Sequence, residues 1–253
     1  MNKNIKLKKI YDNTFKKKSR VRETDEFKEV LKMEKWTGKH ILDVGCGTGK
    51  FAYMIAKKGG IVKGIDYSTT AIATAQSKYN HTNLSYEQID VSKKISGKYD
   101  VIISIGTLEH MDQPYKMLKK LKNHLTPNGK MILTSPNWTN PRGFILMTLS
   151  ILFDAPITLA DLHYLTPVDF VKWADKLDMK IDWKTIEHSW SGGDKLIIDL
   201  KQRLPKVFKD MKANIKQQKI DLFLKWINHK ALPIIQSSKE GGAIGIYVLS
   251  KRK

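Results

Sequence analysis

Short apolar runs recur along the middle of the chain, and segments with helical spacing separate them. His40 to Val44, Gly60 to Asp66, Leu84 to Ile89, Tyr99 to Ile105 and Lys130 to Thr134 are too short for helices and rich in Ile, Val, Leu and Tyr. Runs of this kind predict strands, the first of them buried. Lys50 to Lys58 predicts a helix closed by Gly59-Gly60, and Ser68 to Tyr79 a helix opened by a serine cap. A further helix is expected over about Gln113 to Leu125, followed by the turn Thr126-Pro127-Asn128-Gly129. Strands alternating with helices bury both faces of a parallel sheet, so the class is α/β, a doubly wound Rossmann-like sheet. A helix from Thr166-Pro167 to Leu177 has a threonine cap and proline in its first turn. Strands over Met179 to Glu187 and Ala243 to Leu249 bring the count to seven.

Three segments exceed this alternation. Residues 1–36 read as one or two N-terminal helices, the second opened by Thr24 with Phe27, Val30 and Leu31 on one face. The insertion 137–165 carries an apolar run, Gly143 to Phe153, too short to span a bilayer. It suits a greasy substrate pocket, a membrane-surface contact or a core helix. The insertion 191–238 is helical in pattern, and its stripe Leu222, Phe223, Trp226 and Ile227 is expected to pack as core or cap. The expectation is one domain spanning 1–253 with these attachments.

The first strand runs into Asp43-Val44-Gly45-Cys46-Gly47-Thr48-Gly49-Lys50. Glycines at alternate positions let a ligand approach the backbone, and the following helix offers it unpaired N–H groups. The third glycine comes one residue too early for the dinucleotide fingerprint, and no Gly-Lys-Ser/Thr ending marks a P-loop. Asp66 follows Asp43 by 23 residues, at the end of the second strand. A carboxylate there is placed to accept hydrogen bonds from a ribose diol. The bland alternatives are a helix-capping Asp43, a turn-forming Asp90 and, at Cys46, a small residue in a tight loop.

The Asp43-x-Gly45-x-Gly47-x-Gly49 loop and the segment Gly106-Thr107-Leu108-Glu109-His110-Met111 together resemble class I S-adenosylmethionine-dependent methyltransferases. The pattern is closest to methyltransferases of ubiquinone and menaquinone biosynthesis. The resemblance implies S-adenosylmethionine as cofactor, and an antiparallel last strand beside the sixth. It implies cofactor contacts at Asp43, Gly45, Cys46, Gly47, Gly49, Asp66, Tyr67, Asp90, Val91 and Ile105, with Tyr67 packing on the adenine and Asp90 meeting its amino group. It also casts 1–36 as a lid. The implied reaction moves a methyl group to a hydroxyl of a small or lipid-like acceptor. His163 and His110 are the candidate bases, since imidazole titrates near neutrality; otherwise both are structural histidines. Ser135-Pro136-Asn137-Trp138 stands where base-amine methylases carry Asn-Pro-Pro-Tyr/Phe, and no metal-ligand cluster is evident. An RNA or protein methyltransferase, and a catalytically silent cofactor-binding partner subunit, are the alternatives.

Charge changes the picture only in part. The 253 residues carry a formal charge of +20, concentrated in 1–39, 195–230 and the last three residues. Such a rim attracts an anionic substrate, nucleic acid or a membrane surface. Yet the basic residues are nearly all lysine, and arginine is the usual bidentate phosphate grip. Nucleic acid is therefore not the favoured partner. A single cysteine, Cys46, makes no internal disulfide. With no secretory signal evident, this favours the cytoplasm.

Overall fold

The computed structural model describes residues 24–92, 95–157, 161–233 and 240–252. Most of the expected N-terminal lid, 1–23, lies outside the described residues. Seven strands form one sheet in the order β3-β2-β1-β4-β5-β7-β6. They are β1 (His40–Val44), β2 (Ile61–Asp66), β3 (Leu84–Gln88), β4 (Tyr99–Ile105), β5 (Leu125–Pro136), β6 (Met179–Ile186) and β7 (Ile244–Lys251). Neighbours from β3 to β5 pair in parallel. β7 runs antiparallel to β5 and β6: Lys251 Nζ donates to Leu125 O at its far end, while Asn137 N donates to Ala243 O at its start. The sheet is therefore the doubly wound, mostly parallel one that the alternation predicts.

The chain divides into two compact units. The first comprises Met1–Ser135, Phe170–Asp182 and Ile246–Lys253. Its helices are α1 (Asp25–Leu31), α2 (Lys50–Ala56), α3 (Thr69–Lys78) and α4 (Pro114–Lys122), with a single 3-10 turn at Leu108–His110 among the described residues. Two predicted caps form, Thr24 Oγ1 accepting from Phe27 N at 3.2 Å and Ser68 Oγ from Ala71 N at 3.1 Å, whereas Thr166 instead donates its hydroxyl to Asp169 Oδ2 at 2.8 Å. Ile41, Ile55, Val101, Ile103, Leu118 and Ile132 are fully buried in this unit.

One expectation is absorbed rather than met. The turn at Thr126-Pro127-Asn128-Gly129 does not precede β5 but lies inside it. Tyr99 pairs with Leu125 and Val101 with Lys130, so the four turn residues bulge out of register and pairing resumes beyond them.

The second unit comprises Pro136–Asp169 and Trp183–Gly245 and takes in most of both insertions. Its helices are α5 (Pro141–Phe153), α7 (His188–Gly192), α8 (Asp194–Asp210) and α9 (Gln217–Trp226), followed by a π turn at Ile227–Ala231. Helix α6 (Pro167–Lys176) begins here and continues into the first unit. Trp138, Leu146, Leu196, Leu200, Leu204 and Leu224 belong to its own core. The apolar run 143–153 is a helix, but only one edge is buried. Leu146 is inaccessible, while Phe144, Ile151, Leu152 and Phe153 are exposed. The stripe on α9 also departs from expectation. Ile227 is buried as predicted, whereas Leu222 and Trp226 are 68 % and 58 % exposed. The helix docks through Ile220, Leu224 and Ile227, which leaves the neighbouring apolar positions facing outward.

Candidate active site

The glycine loop leaves β1 and turns into α2. Gly45, Gly47 and Gly49 take φ of 74°, 53° and 82°, the left-handed region that favours glycine. A Cβ at 45 would sit 2.5 Å from Thr107 Cγ2, and one at 49 would sit 2.5 Å from Tyr86 Oη. So two of the glycines make room for neighbouring side chains of the protein itself. Tyr86 uses that room to donate to Gly49 O at 3.0 Å, and it fastens the loop to β3.

Asp66 fastens the loop to β2. Its Oδ2 accepts from Gly47 N at 3.0 Å and its Oδ1 from Ser68 N at 2.8 Å. Gly45 N and Cys46 N both donate to Ile65 O. Asp43, at the end of β1, is buried, and its Oδ2 has no hydrogen-bond partner among the described residues. Burial, then the charge of Asp66, pushes its carboxyl up to about 7. The same burial and the two carboxylates push the Cys46 thiol well up, so it stays protonated and unreactive.

A cavity of about 410 Å³ opens in the first unit. Its wall includes Gly45, Asp66, Tyr67, Asp90, Val91 and His110. These six expected site residues come from four separate stretches of chain and meet at the carboxyl ends of β1 to β4, where open α/β sheets bind ligands. Asp43, Cys46, Gly47, Gly49 and Ile105 do not line it. Cys46 packs in the loop, and its Sγ comes within 3.8 Å of Gly47 O. Asp90 also holds its own turn, accepting from Ser92 N at 3.0 Å and Ser92 Oγ at 2.6 Å. His110 closes the 3-10 turn after β4, its Nε2 3.8 Å from Glu109 Oε1. His163 belongs to the second unit, just before α6.

Sequence reasoning did not anticipate the α4 side of the wall. Gln113, Lys116, Met117 and Lys120 line the cavity, and Lys120 Nζ donates to Val91 O at 2.8 Å and Ser92 O at 2.9 Å. The signal was present: positions 113, 116, 117 and 120 follow the i, i+3, i+4, i+7 spacing of one helix face. Among the described residues, no group of His, Cys, Asp and Glu could hold a metal ion.

A family model described as a methyltransferase domain matches residues 36–189, more than half of the chain. The chain belongs to the methyltransferase-domain family. The methyltransferase is 27 % identical over 152 residues to a ubiquinone biosynthesis O-methyltransferase of Coxiella burnetii, a match covering 57 % of this chain. That match spans 64 % of the relative's own length. A second protein of the same description, from Acinetobacter baumannii, is 32 % identical over 114 residues, covering 43 % of this chain and 48 % of that one. Among solved structures, the magnesium protoporphyrin IX methyltransferase of Synechocystis PCC 6803 has a similar fold. Its TM-score is 0.57 at 15 % identity, covering 98 % of this chain and 86 % of that one.

S-adenosylmethionine, the family's cofactor, joins a ribose diol and an adenine to a tail that carries a sulfonium, an ammonium and a carboxylate. The residues present fit it. The buried Asp43, whose Oδ2 has no partner among the described residues, suits a cation nearby although it is not in the cavity wall, and the wall carboxylate at the end of β2 suits a diol.

Proposed function

We propose that this methyltransferase binds S-adenosylmethionine in the cavity beside the glycine loop and transfers its methyl group to a hydroxyl of a small or lipid-like molecule. The observation that carries the reading is the meeting of Asp66, Tyr67, Asp90 and His110 around one cavity at the carboxyl ends of the strands. The relatives named as ubiquinone biosynthesis O-methyltransferases support the hydroxyl acceptor.

When bound, the cofactor supplies a methyl group on a sulfonium that leaves readily. The chain's own residues have three tasks. The Asp66 carboxylate orients the ribose, and Tyr67 with Ile89 and Val91 encloses the adenine. Asp43 is not in the cavity wall, so as it loses its proton it favours the cationic tail through charge and not through contact. A hydroxyl acceptor must also lose a proton, and His110 is the base that the cavity wall supplies. Glu109 Oε1 lies 3.8 Å from its Nε2. His163 is the second candidate, from the insertion before α6.

The test is transfer of labelled methyl to lipid, small-molecule, RNA and protein fractions of a cell extract, followed by variants on the acceptor found. His110→Gln should lower kcat about 10²-fold or more while leaving cofactor affinity near wild type. If His163→Ala alone has that effect, the base lies in the second unit. If label appears in RNA, with a steep dependence on salt, the small-molecule reading fails.

A further inference from the structure

Helix α9 and the π turn after it present an outward face that nothing in the methyl-transfer reading uses. Leu222, Phe223 and Trp226 are 68 %, 38 % and 58 % exposed. They are not scattered. Lys219 precedes Leu222 and Phe223 by three and four residues, Trp226 follows them by four and three, and Lys230 follows Trp226 by four. At helical spacing these residues share one face, apolar in the middle with a lysine at each end. Both lysines are exposed. The opposite face holds Ile220, Leu224 and Ile227 in the core, so the helix stays folded whatever its outer face meets. Asp221, the one acid in α9, lies on another flank, bonded to Gln217 Nε2 at 2.9 Å.

Three adjacent large apolar side chains in water mark a contact site rather than ordinary surface. Their setting chooses the partner. A protein groove would match the apolar side chains alone. Lysines bracketing an aromatic and aliphatic centre instead match an interface where acyl chains lie below anionic headgroups. Tryptophan suits that boundary because its ring is apolar and its N–H is not. The chain's formal charge of +20 adds long-range attraction to the same surface. No described helix is long and apolar enough to cross a membrane, so contact of this kind is lateral.

We propose that the outer face of α9 docks on anionic lipid bilayers, with Leu222, Phe223 and Trp226 entering the headgroup boundary and Lys219 and Lys230 pairing with lipid phosphates. The proposal is independent of which acceptor is methylated.

The full chain would be sedimented with phosphatidylcholine vesicles, with and without phosphatidylglycerol. Wild type should bind the mixed vesicles, release as salt rises, and bind pure phosphatidylcholine at least tenfold more weakly. Replacing Leu222, Phe223 and Trp226 together by serine should weaken binding at least tenfold, with an unchanged circular-dichroism spectrum. Lys219→Gln with Lys230→Gln keeps every apolar contact and should weaken binding to mixed vesicles by about fivefold per lysine, with less effect on pure phosphatidylcholine. Three results would overturn the proposal. One is no vesicle binding by wild type. Another is equal binding by the serine variant, which would credit the diffuse charge alone. The third is a solution dimer that Trp226→Ser dissociates, which would make a second copy the occupant of this face.

Discussion

Asp43 keeps a proton that an exposed aspartate would lose. Its carboxyl titrates at about 7, because burial and the neighbouring Asp66 charge both oppose ionisation. In the unfolded chain it titrates near 3.9. Between these values the folded protein binds more protons than the unfolded one, so this residue's contribution makes stability fall as pH rises from about 4 to about 7, and then level off. Asp43→Asn removes that penalty. Melting curves should show the variant gaining most above pH 7, by up to a few kcal/mol, and gaining nothing near pH 4. An equal gain at both pH values would mean that something other than the buried charge is responsible. Asp66 behaves differently, because its oxygens already hold Gly47 N and Ser68 N. Asp66→Asn should weaken S-adenosylmethionine binding by about 1.5–3 kcal/mol in calorimetry, and it should also loosen the loop. Gly49→Ala drives a methyl group against Tyr86 Oη and Ala75 Cβ at a left-handed φ. A loss of about 1–3 kcal/mol in thermal or urea unfolding is expected. Tyr86→Phe, which shortens the obstructing side chain, should recover part of it.

At the scale of elements, β1, β2 and β4 of 40–136 were legible as apolar buried runs, the edge strand β3, with no buried residue, from its place in the alternation, and the helices from the residues at their ends. Ser68 caps α3 through its own hydroxyl, and Gly59, with φ of 83°, closes the turn after α2. What was not legible follows from geometry that no local pattern encodes. The Pro127-Asn128-Gly129 signal marks a break in register within β5 and not a turn before it, because pairing with β4 resumes on both sides. The stripe on α9 carries more apolar residues than one docking face can use, and spacing alone does not say which are left out. Within the second unit, an ion cluster ties α5 to α8. Asp199 accepts from Arg142 Nε at 2.8 Å and from Arg203 Nη2 at 2.9 Å. Burial works to raise its carboxyl, but the hydrogen bonds from Arg203 and Arg142 outweigh it and hold the group below its ordinary value. Its stabilising contribution is therefore present above about pH 4 and disappears as pH falls through that lowered value. Asp199→Ala leaves two half-buried guanidinium groups without their acceptor. It should cost about 1–3 kcal/mol at neutral pH in urea unfolding, and little at acid pH.

At the scale of the molecule, two units with separate cores predict unfolding that is not all-or-none. Trp138, Trp183, Trp190 and Trp226 belong to the second unit, whereas Trp36, Trp173 and the sheet from β1 to β5 lie in the first. In a Trp36→Phe, Trp173→Phe variant, whose emission reports on the second unit alone, tryptophan emission and far-ultraviolet circular dichroism should therefore give different urea midpoints. Coincident curves would mean that the two cores melt together. The order of the chain adds a consequence in time. β7 lies between β5 and β6, yet it is the last of the seven to be synthesised. When β5 leaves the ribosome its outer edge has no neighbour, and all of 137–243 must be made before one arrives. At about 5–20 residues per second that wait lasts roughly 5–20 s. Throughout it, a nascent chain carries an open strand rich in Met131, Ile132 and Leu133, the kind of edge that recruits other chains. Of all the stages in the life of this protein, the interval before its C-terminal strand appears is the one in which a chaperone has most to shield.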